Sequence, residues 1–133
     1  MKITVKTIPH KSQRYETPGD WWWKNNGLEI RASQTGNWKY ESLIAIHEII
    51  EAIICKIHGI KQKRVEKFDI AYERRRKEGD ADEPGDEPNA PYHFEHSLAT
   101  GVERIIAVFL KVKWKDYDKK VNSLRFSKKQ KKK

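Results

Sequence analysis

Residues 41–59 read ESLIAIHEIIEAIICKIHG. This stretch predicts one long apolar helix, because Ile, Leu and Ala fill most of its positions and no proline or glycine interrupts it before Gly59. Three ionisable residues, His47, Glu48 and Glu51, stand inside the apolar run. A charged group is costly to bury unless it is paired, hydrogen-bonded or bound to a metal. The helix therefore predicts a functional site as well as part of the core.

The spacing of these three residues is typical of a metal-binding helix. His47 and Glu51 are four residues apart, so they lie on the same helix face one turn from each other. Glu48 is rotated by roughly 100° from His47 about the helix axis. The arrangement is that of the HExxH metallohydrolase helix, with Glu in place of the second His. We predict that His47 and Glu51 bind a metal and that Glu48 is a general base that takes a proton from water.

A later helix offers a second pair of metal-binding residues. It is predicted from about Pro91 to about Leu110, and His96 and Glu103 lie on one side of it, two turns apart. Two imidazoles and two carboxylates form a reasonable site for zinc, manganese or ferrous iron. The predicted ligands are therefore His47, Glu51, His96 and Glu103, with His93 as the alternative to His96.

Each pair also has an interpretation without a metal. The large apolar residues of the later helix lie on the face opposite His96 and Glu103, which favours a solvent-exposed position for that pair. His47 and Glu51 would then be a buried hydrogen-bonded pair.

The rest of the chain predicts an α+β fold. Ile3, Val5 and Ile8 indicate a strand, and Asn-Gly between the runs 21–24 and 28–32 is a hairpin signal. A small N-terminal antiparallel sheet would pack on three to four helices, which include a second helix over 61–77 and a short last helix with Trp114, Tyr117, Val121 and Leu124 inward. The Trp21–Trp23 run would pack in the core, stack on a ligand or mark an interface.

Length and charge limit the remaining choices. The chain has 133 residues and a net charge of +9, which predicts a single domain over 1–126 and a disordered Lys-rich tail over 127–133. The tail holds five lysines, and subtracting them from +9 leaves +4 for the remainder. The sequence of the tail indicates a solubilising terminus, or one that makes weak nucleic-acid contacts through phosphates.

No apolar run is long enough for a membrane helix, and the single cysteine, Cys55, fits a reducing cytoplasm.

The order of several blocks suggests relatives. Residues 40–51, Phe68-Asp69, residues 83–96 and Glu103 together resemble small phage- and prophage-encoded proteins of unassigned function. More distantly, the hairpin followed by His47-Glu48-x-x-Glu51 resembles the minimal zincin core of metallopeptidases. That resemblance implies a metal-ligand role for His47 and a base role for Glu48. It does not extend to Glu51, because zincins normally have His there.

We therefore expect a small cytoplasmic, phage-type metal-binding protein that acts as a zincin-like metal-dependent hydrolase. The acidic 78–91 loop would lie at the entrance of the site and favour a neutral or cationic substrate such as a peptide. One alternative is a non-enzymatic phage accessory protein that binds a host protein or nucleic acid through its tryptophans and basic tail. Another is a nucleotide pyrophosphohydrolase in which Glu48 and Glu51 help to bind magnesium.

Overall fold

The protein has a small N-terminal sheet followed by helices, in agreement with the predicted α+β class. The structure, a computed structural model, describes residues 1–77 and 79–131. Within these ranges the strands and helices are, in chain order, β1 (Lys2–Ile8), β2 (Gly19–Lys24), β3 (Gly27–Ser33), α1 (Trp38–Ile57), α2 (Gln62–Arg74), α3 (His93–Phe109) and α4 (Trp114–Lys131). Two short 3-10 turns span His10–Ser12 and Pro84–Asp86.

The predicted hairpin is present as β2 and β3. Lys24 pairs with Gly27, so the connecting loop consists of Asn25 and Asn26. Gly27 does not adopt the left-handed conformation that an Asn-Gly turn usually requires. A Cβ at this position would instead collide with the backbone carbonyl of Lys2 in β1. The glycine is therefore needed because two strands approach closely.

The prediction of an antiparallel sheet is wrong for β1. The strand order is β1-β3-β2, and β1 runs parallel to β3. The segment 9–18 crosses the end of the sheet from β1 to β2, and β3 then returns between them, so β3 runs opposite to β2 and along β1. As an edge strand, β1 is less buried than its alternating pattern predicts, since Ile3 and Val5 are exposed.

Helix α1 has the ends that its sequence predicts. The Asn37 side chain accepts hydrogen bonds from the backbone N–H groups of Lys39 and Tyr40, at 3.0 and 3.4 Å. Gly59 follows the helix with a φ of 71°, and the Ile60 N–H donates back to the Cys55 carbonyl at 2.8 Å. A left-handed glycine with this bond is the usual end of a helix.

Helices α1 and α3 pack side by side, and α1 also lies against β2 and β3. The core between them is built from small and aliphatic side chains, with Leu28 and Ile30 from β3 and Leu43, Ala52 and Cys55 from α1 all fully buried. Small residues on the inward face of α3, Ala99 and Ala107, let the two helices approach closely. This packing brings the predicted metal-binding faces of α1 and α3 together.

The orientation of α3 resolves the question that its sequence leaves open. Its polar stripe, with His96 and Glu103, is buried against α1, whereas Leu98, Ile105 and Phe109 face outward. The apolar side of this helix is thus the exposed one.

Helices α2 and α4 pack around the region between α1 and α3. Helix α2 ends at Arg74, three residues before its predicted end, and buries Val65, Asp69 and Tyr72. Helix α4 buries Tyr117 and Val121. The α4 backbone is helical to Lys131, which includes most of the predicted tail, while 132 and 133 lie outside the described residues. The domain boundary at 126 stays a prediction. Among the described residues, no helix combines the length and apolarity of a membrane span.

Candidate metal centre

Three side-chain atoms from α1 and α3 converge on one point. His47 Nε2 lies 3.1 Å from Glu51 Oε2 and 3.2 Å from His96 Nδ1, and His96 Nδ1 lies 3.2 Å from Glu51 Oε2. The three residues are all buried. We call these three atoms the donor triangle.

The far side of the His47 ring contacts Glu103. His47 Nδ1 lies 2.8 Å from Glu103 Oε1, and the Tyr117 hydroxyl donates to Glu103 Oε2 at 2.5 Å. A carboxylate only accepts hydrogen bonds, so Nδ1 carries a proton toward Glu103, and with a metal bound Nε2 would present its lone pair to the donor triangle. Glu103 thus orients His47 through Nδ1, and it does not contribute an atom to the donor triangle.

Glu51 is oriented by the first tryptophan of the Trp21–Trp23 run. The Trp21 indole N–H donates to Glu51 Oε1 at 3.0 Å, which leaves Oε2 facing the two imidazoles. Trp21 is buried. Its position in β2 therefore couples the sheet to the centre on α1.

His96 is held from behind by the acidic loop. Its Nε2 lies 3.0 Å from Glu83 Oε2 and 3.2 Å from Asp86 Oδ1, although neither contact has the alignment of a hydrogen bond. The two negative charges favour a proton on Nε2, and with a metal bound Nδ1 would present its lone pair to the donor triangle. Gly85 is necessary for this approach, because a Cβ there would collide with the His96 ring.

If both histidines are neutral with their protons toward the outer carboxylates, the three converging atoms each present a lone pair. Metal-binding histidines usually have such a carboxylate on the second ring nitrogen, where it fixes the tautomer and the ring orientation. Three lone pairs about 3 Å apart repel one another unless a cation lies between them. The arrangement is therefore that of a cation-binding site.

Protons are the simplest such cation. Burial alone would lower the pKa of His47, but its hydrogen bonds with Glu103 and Glu51 raise that pKa well above its ordinary value. Likewise, burial opposes a charge on Glu51, yet the two histidines hold the pKa of Glu51 well below its ordinary value. Without a metal, the cluster therefore binds protons, and a metal would displace them.

The size of the donor triangle fits a metal ion. In a tetrahedral site with bonds of about 2.0–2.1 Å, neighbouring ligand atoms stand about 3.3–3.4 Å apart. In an octahedral site with the same bonds they stand about 2.8–3.0 Å apart. The observed separations of 3.1–3.2 Å lie between these values. The buried residues His47, Glu51 and His96 are therefore positioned to bind a metal.

A second group of ligand atoms lies on the other side of the His96 ring. Glu83, Asp86 and His96 also have converging donor atoms. The Glu83 and Asp86 side chains, however, are 35% and 55% exposed, and water competes well for such carboxylates. We take the buried triangle as the candidate metal centre and the two acids as residues that contact His96 from behind.

A cleft of about 70 Å³ opens beside the donor triangle. This volume holds several water molecules. Glu48 lines the cleft with His47 and Glu51, and Gly19 makes room for it, because a Cβ there would lie 2.5 Å from Glu48 Oε1. Burial is the largest cause that raises the pKa of Glu48 well above its ordinary value. No side chain in the described ranges donates a hydrogen bond to Glu48, so its carboxyl group is available to a molecule in the cleft.

The cleft is acidic although the whole chain is basic. Acidic residues from the loops, from β2 and from all four helices line it, namely Glu16, Asp20, Glu48, Glu51, Asp69, Glu73, Glu83, Glu103 and Asp118. The lining contains one arginine, Arg125, among the described residues, and it contacts Glu73 at 3.5 Å. This excess of negative charge attracts cations and repels anions.

The structure places the predicted site residues at different positions around the centre. His47, Glu51 and His96 form the donor triangle, Glu48 lines the adjacent cleft, and Glu103 lies behind His47. His93, the alternative ligand, instead lies 2.9 Å from the Gly85 carbonyl oxygen through its Nδ1.

Several residues of the centre were not identified from the sequence. Glu83 and Asp86 stand in a loop whose many acids made no pair distinctive, and Trp21 was one of three adjacent tryptophans. Tyr117 was predicted to point inward, but only as an apolar core residue. No local pattern identifies these four residues, because they reach the centre from β2, α4 and the acidic loop, which are distant from α1 in the chain.

No family model, no curated protein and no solved structure matches this chain.

Proposed function

We propose that this chain binds one divalent transition-metal ion through His47, Glu51 and His96 and is a zincin-like metal-dependent hydrolase. The observation that carries the proposal is the donor triangle. Three buried atoms with inward lone pairs lie at separations suited to one ion, and each is fixed from behind by another side chain.

The ion and the side chains of the protein would have separate roles in hydrolysis. A bound ion would supply Lewis acidity toward a carbonyl or phosphoryl oxygen. Glu48, which lines the same cleft without a hydrogen-bond donor of its own, would accept a proton from a water molecule in the cleft. The Tyr117–Glu103–His47 series and the Trp21–Glu51 bond would hold the ligands in place.

The donor set limits which metals could bind, and the lining of the cleft limits which classes of substrate could enter. Two imidazoles and one carboxylate suit zinc, manganese or ferrous iron. The acid-rich lining favours a neutral or cationic substrate, and a peptide fits this description. The same lining disfavours a nucleoside triphosphate, so we rank the pyrophosphohydrolase alternative lower.

Metal analysis of protein purified without chelator tests the binding proposal. We expect close to one ion per chain in the wild type, and loss of the ion in His96→Ala. His93→Ala is the matched control, because it removes a histidine from the same helix that contacts only the Gly85 carbonyl in this region. Equal metal content in the two variants, or a wild type that binds none of the three metals, would refute the metal centre.

Catalysis is tested separately with the metal-loaded protein. Peptide, ester and phosphoanhydride substrates would be assayed with the wild type and with Glu48→Gln, which should keep the metal and lose at least a hundredfold in rate. Glu66→Gln on α2 serves as the control carboxylate. A Glu48→Gln variant with full activity would exclude Glu48 as the base, and a metal-loaded wild type inert to every substrate would leave a metal-binding protein without hydrolase function.

A further inference from the structure

The outward face of α3 is apolar over its whole length. Five of its exposed side chains are large and hydrophobic, with fractional exposures of 77% for Phe94, 47% for Leu98, 60% for Ile105, 74% for Val108 and 81% for Phe109. The other exposed positions are Ser97, Gly101 and Arg104. A helix that faces water normally carries charged residues on this side.

The apolar positions follow the spacing of a helix–helix seam. Phe94, Leu98, Gly101, Ile105 and Val108 are separated by four, three, four and three residues, which is a heptad repeat. We call this row the α3 seam. It lies opposite His96 and Glu103, so a partner on the seam would leave the metal centre and its cleft uncovered.

Gly101 makes the seam self-complementary. A Cβ added there would meet no atom within 4 Å, so the glycine is not required by packing within the chain. In an antiparallel pair of α3 helices, Gly101 would face the partner's Ile105 and Leu98 would face the partner's Val108. A parallel pair would set Gly101 against its own copy and leave a void, which packed interfaces avoid.

Area and charge are consistent with this pairing. From typical side-chain areas, the four apolar residues of the seam and the adjacent Phe109 present roughly 500–600 Å² per chain, so two copies would bury at most about 1,000–1,200 Å², near the lower limit for a specific interface. Arg104 is the charged residue on this face, and its guanidinium lies 4.5 Å over the Trp114 ring of its own chain. It therefore already has a partner that keeps it at the margin of the seam.

We propose that the protein forms a two-fold symmetric dimer through antiparallel pairing of its α3 seams. The surface is convex, so it fits another helix better than an extended peptide. A second copy supplies a helix with matching large and small positions, and a closed two-fold contact uses the same patch on both chains. The proposal does not depend on the metal centre.

Sedimentation equilibrium of the full chain over micromolar concentrations tests the dimer. The wild type should be dimeric and Ile105→Lys monomeric, with unchanged far-UV circular dichroism. Ile57→Lys is the matched control, because Ile57 is also an exposed isoleucine near a helix end and lies outside the seam. A monomeric wild type at every concentration, or a dimeric Ile105→Lys, would overturn the proposal.

Disulfide crosslinking tests the antiparallel arrangement. Cys55 is buried and should not react. When Leu98→Cys and Val108→Cys proteins are mixed and oxidised, the mixed disulfide should exceed both like-with-like disulfides several-fold. A predominance of like-with-like disulfides would instead show a parallel pair and refute the arrangement.

Discussion

The imidazole of His47 lies between two carboxylates that act on opposite ring nitrogens. Glu51 Oε2 lies 3.1 Å from Nε2 at the donor triangle, whereas Glu103 accepts the proton of Nδ1 and is itself hydrogen-bonded by Tyr117. The two acids are chemically alike, and only their positions separate a ligand from a residue that orients a ligand. The difference is measurable as a difference in metal affinity.

Glu103→Gln should weaken metal binding by about 10–100-fold without abolishing it, as is usual when a residue behind a metal-bound histidine is changed. Glu51→Gln should abolish measurable binding, because it removes the negative ligand from the donor triangle. Calorimetric titration with zinc, in competition with a chelator of known affinity, measures both. Equal losses in the two variants would mean that Glu103 is a ligand.

Gly85→Ala should damage the centre by displacing His96. The added Cβ would collide with the His96 ring, which is buried. We expect a loss of about 1–3 kcal/mol in the free energy of unfolding, typical of overpacking, together with weaker zinc binding.

The matched control for this variant is Gly101→Ala in the Ile105→Lys background, which removes pairing of the α3 seams; a Cβ at position 101 meets no atom of its own chain within 4 Å. A helical Gly→Ala change in open space should stabilise the chain by up to about 1 kcal/mol. Urea unfolding measures both variants, and a neutral Gly85→Ala would show that the loop moves away from His96 at little cost.

Helix α2 is joined to its neighbours through Asp69. The Tyr15 hydroxyl, from the segment before β2, donates to Asp69 Oδ2 at 3.2 Å, and the Tyr92 hydroxyl, which precedes α3, donates to Oδ1. Burial, with a smaller contribution from the charge of Glu51, raises the pKa of Asp69 to about 8 despite these two hydrogen bonds. One carboxyl group thus links three parts of the chain and titrates near neutral pH.

This pKa predicts the sign of a pH effect. An ordinary Asp in the unfolded chain loses its proton near pH 3.9, so between about pH 4 and 8 only the folded chain keeps the Asp69 proton. The contribution of Asp69 to stability is complete below this range and falls by about 1.4 kcal/mol per pH unit as the pH rises through it.

Asp69→Asn does not titrate, so the difference between wild type and variant isolates the effect. In chelator-treated protein, the wild type should lose stability relative to Asp69→Asn from about pH 5 to pH 8. Urea unfolding at several pH values measures this difference. A difference that is constant over the range would mean that Asp69 has an ordinary pKa.

Positive and negative charges are unevenly distributed over the molecule as a whole. The chain carries a net charge of +9, yet the cleft at the donor triangle is lined mostly by acids. Because α1, α3, β2, the acidic loop and α4 all meet at this cleft, a cation bound there would hold most of the fold together. Stability and metal binding should therefore be linked.

Zinc should raise the melting temperature of the wild type, and chelator should reverse the change. Free zinc at one hundred times its dissociation constant stabilises a protein by about 2.7 kcal/mol when the unfolded chain does not bind it. Scanning calorimetry measures the shift, and Glu51→Gln should show none. A wild-type melting temperature that ignores zinc, manganese and ferrous iron would contradict the link.

Local patterns in the sequence determined much of this protein. Both ends of α1 follow from Asn37 and Gly59, the β2–β3 hairpin follows from two strand-forming runs around a short turn, and the shared face of His47 and Glu51 follows from their four-residue spacing. Each of these features depends on neighbours within a few residues, where backbone geometry alone relates position to direction.

Tertiary packing decided the rest. The sequence of α3 has an apolar and a polar face, and hydrophobicity alone predicts the apolar one inside; the structure buries the polar one because His96 and Glu103 find partners on α1, α4 and the acidic loop. The parallel direction of β1 and the position of Trp21 behind Glu51 likewise depend on segments distant in the chain. A polar group is buried only where other elements satisfy it, and no single segment contains that information.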